Sequence, residues 1–462
     1  MPAMPLLRHR RPGFAAVLAF VLSGVAAEAQ SIGSLNRTGS GARAAGMANA
    51  FVAVSDDGTA ASWNPAGLAQ LRRPELSFVN GTFDRDFSRE GFRSPDGAYA
   101  YSSSASRFNG NNPEFASLAV PATLWGRPVT FQVDWRRQYQ FGGRFEAEVL
   151  RFPTRAVGED QQISFDERGS GQIDLWSLAG AVRVSRRTYL GLSGSLWRGE
   201  WDFSTSVAQT PVPATAPTTF LITRQGQRFD GANVTAGLLV DHGAVRFGAV
   251  VKSAFRADYS QYGEFVSSRL PARREELGGL KARVPWSIAL GTAVRPGRGW
   301  TVALDLTRDA WSRFAIEGAP GVGDLGFFDG LRLSESATRD TVSVNLGVEK
   351  LFPRDGRVIP LRFGVAYEPQ GPRDVVTRDP QDYVFVAAGS GYNTNRVKVD
   401  FAVQYGWNSY LATAYFGSEP RPSPRAHDAV GRVASHEWRF KFSAIYRFTD
   451  ADKLLEKLKK AF

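Results

Sequence analysis

The side chains that most often carry chemistry are few and scattered in this sequence. His242 falls in a predicted tight turn, His427 in a loop and His436 at the start of the last predicted strand. No serine–histidine–acid spacing recurs, cysteine is absent, and no histidine cluster indicates a metal site. Nucleophilic and metal-assisted catalysis both need such groups to be brought together. We therefore predict no catalytic residue, no metal and no cofactor, and an enzyme is the weaker alternative.

A different kind of motif lies near the N-terminus, where residues 41–53 are mostly glycine and alanine. Asp57 is placed to cap a short helix that begins at Thr59. Asn64 supplies a stop, or simply a helix cap, and Pro65 suits the first position of a new turn. Small residues let a backbone pack closely against a surrounding wall. We therefore predict that residues 30–74 form a compact plug, hereafter the hatch, that includes the motif Asn64, Pro65 and Ala66.

The segment before the hatch indicates export. Three arginines precede an apolar stretch over residues 13–27, and small residues at Ala27 and Ala29 flank a cleavage point before Gln30. The stretch is shorter than the ~20 residues of a membrane-spanning helix. We therefore predict a secretory signal peptide over residues 1–29.

The rest of the chain alternates between apolar and polar residues. Val397, Val399, Phe401, Val403 and Tyr405 alternate with polar or small residues, and other segments repeat this pattern. A period of two indicates strands with one apolar face. No long apolar run follows the signal and mean hydropathy is -0.24, which excludes a helical membrane protein. A soluble β-sandwich would show the same alternation.

Strand length and loop rhythm separate these two alternatives. The sequence predicts about fourteen strands, many of them longer than the ~5–6 residues usual in a sandwich. Short turns, such as those at residues 186–187 and 389–391, alternate with long polar stretches predicted as loops, namely 84–113, 142–171, 205–218, 259–279, 315–338, 371–381 and 417–433. Short periplasmic turns and longer outer loops are typical of outer-membrane barrels. We therefore predict an all-β fold, a transmembrane antiparallel β-barrel over residues 75–448 with both termini periplasmic.

Charge and the C-terminal tail add a prediction about partners. The net charge of +11 is spread along the chain, which favours attraction to outer-membrane lipid and lipopolysaccharide over nucleic acid. In residues 449–462, Leu454, Leu455 and Leu458 form an apolar stripe opposite lysines, so an amphipathic helical tail is predicted. The tail could lie on the inner leaflet, touch a periplasmic partner or be solvated.

Several blocks resemble the FadL/TodX family of outer-membrane transporters for long-chain fatty acids and aromatic hydrocarbons. The resemblance covers the mature chain and rests on residues 41–53, the Asp56-Asp57 turn, residues 64–69, the segment from Asp305 to Ser312, and residues 360–369 and 400–405. It implies a fourteen-stranded barrel closed by a hatch that contains Asn64, Pro65 and Ala66. It also implies that ligands bind apolar sites and leave through a gap in the wall after the hatch shifts.

The resemblance leads to an expected function, an outer-membrane channel for hydrophobic small molecules, with long-chain fatty acids first and aromatic hydrocarbons second. Phe51 and Trp63 are candidates to line an apolar pocket, although both could equally pack the hatch against the wall. Arg43, Lys398, Arg439 and Lys441 are candidate partners for a carboxylate, or members of a charge-paired lumen. A general diffusion porin and an outer-membrane hydrolase are the alternatives, and the oligomeric state stays open.

Overall fold

The computed structural model describes residues 39–449 except 96, 98, 125, 152–159, 213–216, 269–270, 320, 322 and 415–427. The predicted signal peptide, the first residues of the predicted hatch and all but the first residue of the predicted tail lie outside this part. Within it, no helix is long and apolar enough to cross a membrane.

The described chain is mostly strand, as the alternating pattern predicts. The strands are β1 Glu75–Arg93, β2 Tyr99–Leu124, β3 Arg127–Gln140, β4 Gly143–Arg151, β5 Asp160–Arg183, β6 Thr188–Val212, β7 Thr219–Asp241, β8 Val245–Lys252, β9 Phe255–Ser267, β10 Arg273–Val284, β11 Ser287–Gly297, β12 Trp300–Asp309, β13 Ala315–Glu317, β14 Leu325–Gly326, β15 Thr341–Arg354, β16 Arg357–Glu368, β17 Tyr383–Asn393, β18 Val397–Ala414 and β19 Ala429–Arg447. Neighbouring strands are antiparallel throughout.

The sheet closes because β1 pairs with both β2 and β19, with Glu75 opposite Arg447. Four positions in the wall are each occupied by two shorter strands, β3 with β4, β8 with β9, β10 with β11 and β12 with β13. The result is a closed antiparallel barrel of fourteen strands, which confirms the predicted fold. Closure removes exposed strand edges, as a membrane-spanning sheet requires.

The two faces of the wall differ as expected for a barrel in lipid. On β6, Leu190, Leu192 and Leu196 point outward and are exposed, whereas Ser193 and Ser195 point into the lumen and are buried. The same division holds around the barrel, so the outer face is an apolar belt.

Four of the predicted long loops are wrong. Most of residues 84–113, 142–171, 205–218 and 259–279 lie in strands. Strand β6 has 25 residues, or roughly 80 Å at ~3.3 Å per residue, far longer than an apolar belt about 25 Å tall. Beyond that belt neither face of a strand needs to be apolar, so the alternation disappears while the pairing continues.

One predicted turn is also wrong. Residues 389–391 lie inside β17, and the chain reverses after Asn393. A Cβ added to Gly389 would lie 2.9 Å from Cα of Gly46 in the hatch. This glycine therefore serves the close approach of another backbone rather than a turn.

The hatch lies inside the ring of strands. Its helices are α1 Ala42–Gly46 and α2 Ala60–Trp63, followed by the 3-10 helix η1 Pro65–Gln70; a further 3-10 helix, η2 Trp311–Arg313, follows β12. Helix α1 contacts β16 to β19, and η1 contacts β3 and β5 to β7. Contact with opposite walls places the hatch across the lumen.

The local structure of the hatch agrees with its capping signals. The side chain of Asn64 accepts a hydrogen bond from the Ala66 amide at 3.1 Å, and Pro65 is the first residue of η1, as predicted. Asp57 accepts from the Thr59 amide at 3.1 Å, but the helix begins at Ala60, one residue later than predicted.

Candidate functional site: hatch, aromatic chamber and wall gap

The motif Asn64, Pro65 and Ala66 fastens the hatch to itself and to the wall. The amide nitrogen of the Asn64 side chain donates to the carbonyls of Val52 in the hatch and Leu238 in β7, each at 3.0 Å. A Cβ added to Gly237 would lie 2.2 Å from Oδ1 of Asn64. This contact between hatch and wall therefore depends on the side-chain amide of Asn64 and on a wall residue, Gly237, that has no side chain.

Glycines in the wall make this close approach possible around much of the lumen. At each of them an added Cβ would lie within 3 Å of a hatch atom; they are Gly191, Gly237, Gly248, Gly291, Gly347, Gly364 and Gly389. Six of them face each other in register, Gly191 with Gly237, Gly248 with Gly291 and Gly347 with Gly364. Glycine weakens an ordinary strand. Glycines inside strands that otherwise alternate between apolar and polar residues are therefore a sequence signal for close contact with the hatch, and the sequence analysis missed this signal.

Buried charges fix one side of the hatch. Arg43 donates to Glu349 of β15 at 2.9 Å and to Asp56 at 2.6 Å. Arg362 of β16 lies between Glu349 and Asp400 of β18, at 2.7 and 2.8 Å. Each buried charge of this network has an opposite partner, which offsets the cost of its burial.

Asp57 extends this network to Lys398, whose Nζ lies 3.0 Å from the Asp57 carboxylate. Burial alone would raise the pKa of Asp57, but Lys398 and Arg43 outweigh it and hold the pKa well below its usual range. Burial likewise disfavours the charge of Arg43, yet Asp56 and Glu349 keep its pKa above the usual value.

Asp305 of β12 is a further contact that the sequence analysis did not assign. Its carboxylate accepts from the backbone amides of Phe51 and Val52 at 2.6 and 2.7 Å. Asn345 of β15 donates to the carbonyl of Ala48 at 2.8 Å. Both wall residues thus form hydrogen bonds with backbone N–H and C=O groups of the irregular hatch. Such groups are costly when they are buried without a partner. Asp305 opens one of the family-like blocks, and that position was the available signal.

An aromatic chamber lies on the side of the lumen that includes η2. A small apolar cavity of about 30 Å³ is lined by Tyr139, Phe141, Ile173, Trp197, Phe229, Val284, Trp311, Phe314, Phe327 and Phe328. The rings of Phe314 and Phe327 stack with centroids 4.0 Å apart, and Trp311 and Phe328 pack around them. Trp311, Phe314, Phe327 and Phe328 all belong to the segment that follows β12. The chamber offers an apolar ligand aromatic contact on several sides.

The wall has a gap between β2 and its neighbour. Strand β2 pairs with β3 as far as Phe115, opposite Arg136, and pairs with β4 from Arg107, opposite Arg144. Between these points, residues 108–114 have no backbone pairing with residues 137–143 in the described structure, although β1 continues to pair with β2. The gap thus interrupts one seam of the barrel.

Irregularities in both strands produce the gap. The register of β2 against β1 shifts next to Phe115, and that of β3 against β5 shifts between Arg137 and Tyr139. Bulges of this kind end pairing and redirect side chains. A side-chain hydrogen bond from Asn112 to Gln140, at 3.1 Å, spans the opening.

The gap lies at the level of the lipid belt. Asn80 and Thr82, which pair with this part of β2, sit opposite Phe442 and Phe440 of β19. Both phenylalanines are exposed on the outer face of the barrel. The gap therefore opens toward lipid, and behind it lies a polar cavity of about 140 Å³ that reaches Gly39, Ser40 and Asn49 of the hatch.

The predicted ligand residues lie in three different settings. Phe51 is fully buried, with its ring 5.8 Å from Trp63 in a T-shaped contact. Trp63 lines a cavity of about 40 Å³ on the hatch, and its Nε1 donates to the Ser40 carbonyl at 2.7 Å. Arg43 lies in the ion-pair network. Lys398, Arg439 and Lys441 are also ion-paired. Contact of Phe51, Trp63 and Arg43 with a ligand stays a prediction.

The two described histidines lie in different surroundings. His242 meets Arg187 at a turn, and His436 meets Tyr405 on the outer face. His427 lies outside the described residues. In the described part no three of the histidine, cysteine, aspartate or glutamate residues are grouped to hold a metal.

Comparison with known proteins agrees with this geometry. Residues 18–414 match the family described as outer membrane protein transport protein (OMPP1/FadL/TodX). No curated protein matches the sequence. Among solved structures, a Pseudomonas aeruginosa FadL homologue has a TM-score of 0.65 at 15% identity, covering 89% of this chain and 98% of that one.

Two solved toluene transporters are also similar in fold. The Ralstonia pickettii transporter TbuX has a TM-score of 0.56 at 14% identity, covering 89% of this chain and 99% of that one. The Pseudomonas putida transporter TodX has a TM-score of 0.55 at 13% identity, covering 89% and 98%. The family match spans most of the sequence, and the chain therefore belongs to the OMPP1/FadL/TodX family of outer-membrane channels for hydrophobic substrates.

Proposed function

We propose that this chain takes up hydrophobic small molecules through the aromatic chamber and releases them sideways through the wall gap. The observation that carries the proposal is the position of Tyr139. This residue lines both the chamber and the polar cavity behind the gap. The two spaces are therefore neighbours, and a ligand that leaves the chamber past Tyr139 reaches the gap.

The hatch supports lateral release over release straight through the lumen. It crosses the lumen and bonds to the walls through Asn64, Asp57 and Arg43. A hydrophobic ligand gains nothing from an aqueous exit, whereas a gap at lipid level leads to an apolar medium. The same blocked lumen argues against the general diffusion porin, and the dispersed histidines give no support to a hydrolase.

Long-chain fatty acids are the proposed first ligand class, with monoaromatic hydrocarbons as the second candidate. An acyl chain needs apolar surface and a partner for its carboxylate, and the lumen supplies apolar and cationic residues side by side. The aromatic lining favours the second candidate. Phe51 and Trp63 are proposed to support the ligand path at the hatch surface, and Arg43 to hold the hatch charge network near it.

Orientation and processing complete the proposal. Removal of residues 1–29 would leave the hatch at the mature N-terminus, with the barrel from Glu75 and the tail after Phe448. An even number of strands puts both ends of the wall on one side, proposed to be periplasmic. The exposed belt would contact outer-membrane lipid and lipopolysaccharide.

Uptake of labelled oleate and labelled toluene tests this function in cells that lack their own transporter, with and without this protein. Uptake of oleate supports the fatty-acid proposal, and uptake of toluene alone supports the second candidate. No gain for either compound, with the barrel shown in the outer membrane, contradicts the proposal. A matched empty-vector strain and a strain that makes an unrelated barrel give the background.

A further inference from the structure

The cavity behind the wall gap is rich in positive charge. Five cationic side chains line it, against two carboxylates, Glu114 and Glu437. The cationic residues are Arg85, Arg136, Arg137, Arg439 and Lys441. Its volume of about 140 Å³ exceeds the ~10–15 Å³ that one water molecule needs. The cavity thus has room for a small polar group.

Four of the five cations already have a carboxylate partner. Arg85 and Arg439 both pair with Glu437, at 2.9 Å each. Lys441 pairs with Glu114 at 2.6 Å, and Arg137 pairs with Asp174 of β5 at 3.3 Å. Their charges are largely balanced within the wall.

Arg136 differs from the other four. Its side chain is only 7% exposed, yet within the described chain no carboxylate lies within 4 Å of it, and its Nε has no hydrogen-bond partner. Its one hydrogen bond is a long one, 3.4 Å from Nη1 to the carbonyl of Ser62. Asp134, two residues earlier on the same face of β3, is buried and acts on Arg136 through its charge, but it forms no direct ion pair with Arg136 and does not line the cavity. A buried guanidinium whose donors lack a direct partner is costly, and an anion bound to them would lower that cost.

We propose that Arg136 binds the carboxylate of the transported ligand in this cavity, so that the exit favours carboxylated hydrophobic molecules over neutral hydrocarbons. This inference rests on the proposed function. The apolar part of such a ligand would enter the aromatic chamber, which at about 30 Å³ has to widen to admit an acyl chain, with Tyr139 between the two parts. Guanidinium and carboxylate match in shape and can form two parallel hydrogen bonds.

The polar residues around the gap also favour a carboxylated ligand. Asn80, Asn111, Asn112 and Gln140 surround the opening, and Asn80 is bonded to Asn111 at 2.7 Å. Amides at lipid level are expensive unless they serve a function. A hydrocarbon gains nothing from them, whereas a carboxylate that leaves Arg136 meets hydrogen-bond donors along its way to the membrane surface.

Direct binding of labelled oleate and labelled oleyl alcohol to the purified full-length protein in neutral detergent tests this inference. The two probes share one chain and differ in the charged head. For Arg136→Gln we expect the Kd for oleate to rise about tenfold, because a charge-assisted pair is lost. The Kd for oleyl alcohol should change less than about twofold. Arg136→Lys, which keeps the charge but cannot form two parallel hydrogen bonds, should recover part of the oleate affinity.

Arg198→Gln is the matched control, because Arg198 is 82% exposed and does not line the cavity. An equal loss for both probes in Arg136→Gln would show that Arg136 only supports the fold, and no loss for either would remove it from the site. If Arg136→Gln does not fold, the wild-type protein decides: tighter binding of oleate than of oleyl alcohol supports the inference, and equal binding overturns it. Wild-type protein that binds neither probe, in cells that gain no uptake, contradicts the proposed function instead.

Discussion

The hatch meets the barrel in two different ways on its two sides. Toward β15 to β18, Arg43 and Asp57 enter a buried network with Glu349 and Lys398, which we call the ion-paired side. Toward β2, β3 and β5, called the gap side, α2 and η1 pack through apolar side chains, most of them alanine: Ala60, Ala61, Leu68 and Ala69 against Ala119, Ala179 and Ala181. The polar contacts there include Ser117 with the Gly58 carbonyl at 2.7 Å and the long bond of Arg136.

This difference indicates where a displacement of the hatch begins. Removing one partner of a buried ion pair costs about 3–5 kcal/mol. An alanine methyl group contributes only about 0.8 kcal/mol when it is buried. The gap side also adjoins the polar cavity and the wall gap. A small movement there would widen the path from the chamber to the lipid while the ion-paired side keeps the hatch attached.

Arg43→Ala should break the ion-paired side and have the largest effect. It removes the hatch cation that pairs with Glu349 of the wall and with Asp56. We expect hatch docking to lose about 3–5 kcal/mol. A single cysteine introduced as Ala45→Cys, buried in α1, reports this as faster labelling by a maleimide, and the natural chain has 0 cysteines to interfere. Arg198→Ala removes only an exposed pair and should leave the labelling rate unchanged.

Gly237→Ala should disturb the seat of the Asn64 motif to a smaller extent. The new Cβ would lie 2.2 Å from Oδ1 of Asn64. Overpacking of this kind costs about 1–3 kcal/mol. A cysteine introduced as Ser62→Cys on the gap side should then label faster, with little change at Ala45→Cys. In the control Gly194→Ala the added Cβ meets nothing within 4 Å. A change in the labelling rate of Ser62→Cys caused by this control substitution would contradict the steric explanation.

Acidification should weaken the ion-paired side least. The pKa of Asp57 is depressed in the folded protein, so its contribution is fully present above the ordinary value of 3.8 and is lost as pH falls below it. Because maleimide reacts with the thiolate and is too slow in acid, labelling of Ala45→Cys is measured here with an aromatic disulfide reagent that reacts at low pH, and its rate is divided by that of a free thiol at the same pH. We expect this ratio to be constant from neutral pH to about pH 5, and hatch docking to lose about 1 kcal/mol by pH 3. Asp57→Asn should flatten this dependence. A transition near pH 6 in the wild type would point to a different group.

Much of the architecture follows from local patterns in the sequence. The period of two fixes which face of β18 meets lipid, and the caps at Asp57 and Asn64 depend on residues two positions away. The outer parts of the long strands were not predicted, because residues outside the lipid belt do not alternate between apolar and polar. Pairing over β5 and β6 continues there through backbone bonds that any side chain allows.

The site depends on contacts that local patterns do not contain. Arg43 and Glu349 are 306 positions apart, so the sequence offers two charges but not their pairing. The wall gap arises from register shifts in β2 and β3 that appear only when each strand is matched to its neighbours. Arg136 differs from the other cavity cations in that no carboxylate of the described chain pairs with it directly, and only the folded structure reveals this.

Lateral release through the wall gap is the central claim, and closing the gap tests it most directly. A double variant, Asn112→Cys with Gln140→Cys, places thiols on the two side chains that already meet at 3.1 Å across the opening. Joining them with a short bis-maleimide should reduce oleate uptake to background, while the unlinked double variant and either single variant treated with the reagent keep transporting. Full uptake by the cross-linked protein would contradict lateral release and place the exit elsewhere.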